Sequence, residues 1–241
     1  MIHILDFGVG NVRSIVNMIE RVGGTAKLIS NPRELIASTK LILPGVGAFD
    51  HGIACLREGG WIDDLNEAVM GRKVPILGIC LGMQLMCKSS DEGIASGLGW
   101  VDAHVRLIQS STASNLKVPH MGWNAVTVVK HNPLIPMDGD QRRFYFVHSY
   151  YVVPNDEADI LARTHYGFDF VSAFNRGNVY GVQFHPEKSH RFGKELLSNF
   201  VRLDFDHRVG RLWTLSMTAD STEGLLARTE AAGVNGTTIK A

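Results

Sequence analysis

Residues 78–85 read GICLGMQL and follow the apolar run KVPIL. Gly78, Cys80 and Gly82 form G-x-C-x-G, the thiol counterpart of the G-x-S-x-G turn that lifts a nucleophile out of the end of a strand. A strand that stops at Cys80 and a helix that starts at Leu81 place the thiol where unpaired amides and the helix dipole favour its anion. Glycine on either side admits a tight turn and close approach of a substrate. The amide of Leu81, next after the nucleophile, is a donor for an oxyanion. The competing reading is a free cysteine packed as a small apolar residue, the usual fate of such a side chain.

A base decides between these readings. Residues 181–189 read GVQFHPEKS. His185 ends an apolar strand, which Pro186 stops from continuing. Alternate residues of an extended chain share a face, so His185 and Glu187 lie side by side. The carboxylate then holds one ring nitrogen and leaves the other to take a proton from Cys80. A solvated loop histidine beside an exposed glutamate is the alternative. Of the other histidines, His148 in FVHSYY is the nearest rival base.

The elements that must carry these residues follow from hydrophobic periodicity. IHILDF reads as a buried strand, NVRSIVNMIERVG as a helix ended by Gly23 and Gly24, and TAKLIS as a second strand. LILPGVGAF is a third strand entering a glycine-rich loop. Helical stretches at 49–58 and 61–71 precede the fourth strand, VPILGIC. This alternation predicts a parallel sheet with crossover helices over the first 90 residues. Six further strand-like runs lie at 100–108, 121–130, 142–153, 159–166, 170–175 and 178–185, and an amphipathic helix closes at 190–205. The expected class is α/β: a mixed central sheet flanked by helices, with added antiparallel strands. Residues 1–205 form the expected domain. Residues 109–117 read as a mobile loop. Residues 206–241 read as an appendage, either disordered or carrying a short helix near 223–232.

Composition narrows the function. The 241 residues hold 24 basic and 24 acidic side chains, so no net charge points to nucleic acid or an anionic membrane. Three cysteines, Cys55, Cys80 and Cys87, with no C-x-x-C pair, fit a reducing compartment. No basic leader precedes the first apolar run, and the longest charge-free apolar stretch, around 74–87, is too short to span a bilayer. The expectation is a cytoplasmic protein.

LPGVGAF, GICLGMQL and GVQFHPEKS, in that order, resemble the class I (triad-type) glutamine amidotransferases. DFGVGNVRSI, KVPHMGWNAV and FYFVHSYYV narrow the resemblance to the glutaminase subunits of imidazole glycerol phosphate synthases, over about residues 2–203. The resemblance implies that Cys80 attacks the carboxamide of glutamine, that His185 is base and then acid, and that Glu187 orients it. It implies an oxyanion hole at Val46, Gly47 and Leu81. Gln84, Glu92, Ser149 and Tyr150 would hold the amino-acid end of the substrate. It also implies a (β/α)8 cyclase partner receiving ammonia, with Asn11, Lys117, Pro119 and Trp123 near the interface. No cofactor and no metal are expected. A core aromatic is the alternative for Trp123, and a solvated charge for Lys117.

Many relatives carry Pro-Gly-Gly where this chain has Pro44-Gly45-Val46-Gly47. Turning a peptide so that its N–H faces the site often demands φ > 0, which valine resists. The free chain is therefore expected to hold an incomplete hole until a partner tips the loop. Other readings stay open: a paralogue feeding amidination of a nucleotide-linked or cell-surface sugar, a non-catalytic scaffold of the same fold, and a cysteine peptidase.

Overall fold

The structure, a computed structural model, describes residues 1–109, 116–206 and 211–213. With strands numbered along the chain, five run parallel in the order β2 (Ala26–Ile29), β1 (Ile2–Leu5), β3 (Leu41–Leu43), β4 (Ile76–Ile79) and β12 (Val179–Val182). Beyond β12 the sheet turns antiparallel through β11 (Asp169–Arg176), β10 (Ile160–His165), β7 (His120–Val128) and β8 (Arg142–His148). A branch leaves β11 through β9 (Tyr150–Pro154) to β6 (Ala103–Leu107) and the short β5 (Ser89–Ser90). The mixed sheet with an antiparallel extension is as the sequence implies. The run 142–153 is not one strand, however. It breaks at Ser149, so that β8 pairs with β7 while β9 pairs with β6 and β11.

Inside the edge strand β2, the parallel strands are largely apolar on both faces because helices cover both. On one face Ile2, Ile4, Ile42 and Leu77 pack with Ile15, Met18 and Ile19 of α1 (Val12–Arg21) and with Leu196, Leu197 and Phe200 of α5 (His190–Arg202). On the other, Leu5, Leu41, Leu43 and Ile76 pack with α2 (Phe49–Glu58) and α3 (Trp61–Asn66) through Phe49, Ile53, Leu56, Trp61 and Leu65. The helical stretch expected over 61–71 continues past α3 as a π-turn over Glu67–Gly71. Each buried Leu, Ile or Phe contributes about 1.5–3 kcal/mol relative to exposure. The helix that follows Cys80, α4 (Leu81–Leu85), has only five residues.

Farther along the chain β13 (Asp204–Asp206) pairs antiparallel with β14 (Arg211–Trp213). The expected helix near 223–232 lies outside the described residues, as does 110–115 of the loop expected at 109–117. Among the described residues no helix is long and apolar enough to cross a membrane.

Helix α5 rests on the turn that carries His185 and Glu187. A Cβ at Gly193 would lie 1.8 Å from the carbonyl oxygen of Pro186. Gly193→Ala is expected to destabilise the fold by about 1–3 kcal/mol through overpacking. Lys194→Ala, exposed on the next position, is expected to stay within about 0.5 kcal/mol. Urea unfolding of the two variants checks the difference.

Candidate active site

Strands β4 and β12 pair in parallel with Gly78 opposite Gly181 and Ile79 opposite Val182. The amide of Cys80 then donates to the Val182 carbonyl at 2.8 Å, tying the last residue of one strand to the other. Cys80 itself turns the corner, with φ 54° and ψ −111°. For a side chain with a Cβ this costs about 1–3 kcal/mol and persists only where the surroundings enforce it. The flanking glycines enforce it, and not by positive φ, which neither Gly78 nor Gly82 adopts. A Cβ on Gly82 would lie 1.9 Å from the carbonyl oxygen of Leu43, and one on Gly78 would lie 2.8 Å from that of Gly82. A Cβ on Gly45 would lie 2.7 Å from the amide nitrogen of Gly82. Gly45 and Gly82 let the loop after β3 press directly on the elbow, and Gly78 lets the turn after Cys80 fold back against β4.

His185 leaves β12 three residues past Val182, its amide held by the Tyr145 carbonyl at 2.9 Å. Its Nδ1 is 2.8 Å from Oε1 of Glu187, and both side chains are buried. Among the described residues the ring Nε2 has no hydrogen-bond partner. Burial alone depresses an imidazolium, but the Cys80 sulfur and the Glu187 carboxylate outweigh it and push His185 up to about 9. A buried imidazole this basic can accept a proton from an acid that reaches its Nε2.

Two hydrogen-bond chains meet at one carbonyl. The Tyr150 oxygen lies 3.1 Å from Nε2 of Gln84 and 2.8 Å from Nδ1 of His148. A carbonyl only accepts, so both groups must donate to it. His148 therefore carries its proton on Nδ1, and its Nε2 accepts from Nδ1 of His120 at 3.0 Å. His120 Nε2 in turn faces the Asn124 amide at 3.3 Å. Burial holds both rings neutral, with His148 down at about 3 and His120 at about 4. His148 is thus committed to a structural chain and is no rival to His185 as base. Gln84 spends its second N–H on Oε1 of Gln183 at 3.1 Å. Its own carbonyl oxygen is what remains for a ligand.

A cavity of about 330 Å³ opens over Cys80. It is lined by Val46, Gly47, Leu81, Gln84, Glu92, Ser149, Tyr150 and His185, all expected from the sequence, together with Pro119, Val147 and His148. Glu187 stands behind His185 and outside this cavity. Glu92 also caps α2, its Oε2 accepting from the Phe49 amide at 2.8 Å, while Asp50 accepts from the amides of Ile94 and Ala95. In the loop after β3 the left-handed conformation falls on Gly47, φ 101°, and not on Val46.

The remaining expected residues, Trp123, Lys117 and Asn11, are exposed and do not line this cavity. Trp123 is 39% exposed and stacks on His190, so it is not a core aromatic. Lys117 and Asn11 are exposed, and Asn11 stands at the N-cap of α1 without capping it through its side chain. Its neighbour Gly10 packs on Pro44. Val46, Val118 and Met121 add exposed apolar surface. Sequence reasoning missed Gln183 and His120. Gln183, directly after β12, and His120, the first residue of β7, are buried polar residues beside apolar neighbours, and that is the signal that could have found them. A larger cavity, about 520 Å³, lies beside Asp91, His104 and Arg106 and includes none of these residues.

Residues 3–203 match the family profile described as glutamine amidotransferase class-I. Among known proteins, the imidazole glycerol phosphate synthase subunit HisH 2 of Pseudomonas aeruginosa is 48% identical over 203 residues, spanning 84% of this chain and 100% of that one. HisH 2 of Methanococcus maripaludis is 49% identical over 202 residues, spanning 84% and 99%. HisH of Leptospira interrogans is 43% identical over 204 residues, spanning 84% and 100%. Among solved structures, PurLQS from Thermotoga maritima aligns with TM-score 0.65 at 17% identity over 83% of this chain and 96% of that one. The glutaminase domain of Trypanosoma brucei CTPS aligns with TM-score 0.57 at 16% identity, over 88% and 97%. The last two bear on the fold alone.

The neutral histidines set an acid limit. Their folded values lie below the ordinary 6.5, so the unfolded chain binds more protons as pH falls from about 6.5 towards 4. Stability is expected to decline over that window. His120→Gln, with one such histidine fewer, is expected to show a shallower decline in urea midpoints measured across it.

Proposed function

Because the chain belongs to the class I glutamine amidotransferases and, within them, to the HisH subunits of imidazole glycerol phosphate synthase, we propose that Cys80, His185 and Glu187 form its glutaminase triad. The observation that carries this reading is the buried Glu187–His185 pair, whose free Nε2 and raised basicity belong to a ring bordering the same cavity as the Cys80 thiol.

His185 takes the thiol proton, and the Cys80 thiolate adds to the carboxamide carbon of glutamine. The oxyanion that forms is held by amides of Val46, Gly47 and Leu81. Collapse of the tetrahedral intermediate breaks the C–N bond, and His185 returns its proton to the leaving ammonia. Water, deprotonated by the same ring, then cleaves the thioester and releases glutamate. Gln84, through its unspent carbonyl oxygen, and Glu92, Ser149 and Tyr150 hold the amino-acid end. Glu187 keeps the imidazole in the tautomer that presents Nε2 to sulfur.

The ammonia goes to a (β/α)8 cyclase subunit in a heterodimer, within histidine biosynthesis in the cytoplasm. Ammonia released to water at neutral pH becomes ammonium, which is not nucleophilic, so a shielded transfer across the interface makes chemical sense. The docking face is the rim bearing Asn11, Lys117, Pro119 and Trp123. Support for it is the run of exposed apolar side chains Val46, Val118, Met121 and Trp123 beside the cavity mouth. The peptide between Val46 and Gly47 is the gate: one hole donor is worth about 10²–10³ in rate, so a misdirected N–H silences the lone chain.

Cys80→Ala is expected to lower glutamine hydrolysis by about 10⁴-fold or more while leaving synthesis from added ammonium salts intact in the complex. Glu187→Gln is expected to lose roughly a hundredfold less than His185→Ala, because it misdirects the base without removing it. Coupled glutamate release measures both, and an unimpaired Cys80→Ala enzyme would reject the nucleophile. For the gate, adding the histidine-pathway cyclase is expected to raise turnover by about 10²-fold or more. Full activity of the lone chain would remove the gate, and stimulation by a sugar-pathway barrel instead would reassign the acceptor.

A further inference from the structure

One buried polar group stands next to the sulfur and takes no part in the steps of hydrolysis. Gln183 follows directly on the end of β12, two residues before His185, and is fully buried. Its Nε2 stands 3.8 Å from the Cys80 sulfur, and its Oε1 stands 3.1 Å from Nε2 of Gln84. The orientation of this carboxamide is not free. The Tyr150 carbonyl obliges Gln84 to present its NH₂ group, the second hydrogen of that group requires an oxygen opposite, and Gln183 must therefore turn its own NH₂ to the sulfur.

We propose that Gln183 is a catalytic residue whose side-chain amide donates a hydrogen bond to the Cys80 sulfur and holds it as the attacking thiolate. The sulfur has two polar neighbours of opposite preference. The Val147 carbonyl, at 3.9 Å, accepts from the S–H and so engages only the thiol. The Gln183 amide can only donate. A neutral thiol is a weak acceptor, whereas a thiolate draws a charge-assisted bond about twice as strong, so this contact gains when the proton leaves for His185. The five-residue helix behind Cys80 is too short to supply much of that stabilisation by its dipole. A buried carboxamide also needs an acceptor for its donors, and among the described residues the sulfur is the one bonded to Nε2.

The proposal rests on Cys80 being the nucleophile, so the test reads the sulfur directly and not glutamine turnover. The full-length native chain, Gln183→Leu and Gln183→Glu are treated with iodoacetamide across about pH 6–9, and modification is mapped by peptide mass. Gln183→Leu removes the donor. Gln183→Glu keeps the volume and the acceptor for Gln84 but puts an oxygen against the sulfur. Both are expected to slow Cys80 alkylation near pH 7 by about 10- to 100-fold and to move its pH profile upward, with Cys55 reacting at the native rate. If Gln183→Leu does not fold, the buried Cys87 becomes reactive and reveals it, and the isosteric Glu variant decides. Equal Cys80 rates and profiles in the native chain and the folded variants overturn the role of Gln183. No modification of Cys80 in the native chain overturns the nucleophile instead.

Discussion

The site depends on one strand pairing. Strands β4 and β12 are more than a hundred residues apart in the chain, yet lie parallel and in register to their last residues. Parallel strands end on the same edge of a sheet. The residues that follow them, Cys80 on one and Gln183 and His185 on the other, therefore emerge together. A slip of one residue would turn every side chain of a strand to the opposite face and point the imidazole away from the thiol. The bond from the Cys80 amide to the Val182 carbonyl closes that register at the strand ends, where slippage would matter most. Both strands are walled by apolar side chains on both faces, so neither has an alternative face to offer.

A second constraint is one of polarity. Tyr150 contributes a carbonyl, not a side chain, yet that oxygen dictates the direction of every hydrogen bond in two chains. One runs through Gln84 and Gln183 to the sulfur, and the other through His148 and His120 to Asn124. Tyr150 opens β9 opposite Leu107, and the neighbouring ladder bond, from the Ile108 amide, goes to the Ser149 carbonyl instead. Buried amides and imidazoles could adopt either orientation in isolation, and neutral rings deep in the fold remove the choice. The result is a preorganised cradle whose dipoles need no rearrangement when charge develops.

The sequence carried the layer order and the chemistry more fully than it carried the reasons for them. Alternating apolar runs foretold the parallel half, and the proposed nucleophile and base, together with the cavity-lining residues, were legible as motifs. The role of the glycines was not. G-x-C-x-G suggested conformational freedom, but the positive φ sits on Cys80, and Gly45, Gly78 and Gly82 matter for the space their missing Cβ leaves. Periodicity cannot reveal such contacts, because each is with a segment distant in sequence or folded back by a turn. The strand break at Ser149 was hidden for a related reason: YYVV continues the apolar pattern, and only the competing partners β7 and β6 separate the two halves. The dipole argument for the thiolate weakened because no stop signal marks the end of α4 after five residues.

The face around the mouth and the chemistry inside share the same short segments, and this limits how independently they can vary. Pro119 lines the cavity, His120 belongs to the buried chain, and Met121 and Trp123 reach solvent, all within one strand entrance. On the opposite side Gly10 abuts Pro44, so the residue beside Asn11 touches the loop that carries Val46 and Gly47. Alternation along β7 makes this unavoidable: side chains point in and out by turns, and pressure on Met121 or Trp123 bears on a backbone that also carries His120. A ligand on that face that favours one arrangement of these segments must, by linkage, also alter glutamine binding in the cavity. Coupling between docking and hydrolysis thus requires no long relay through the core, because the two surfaces are opposite sides of the same few residues.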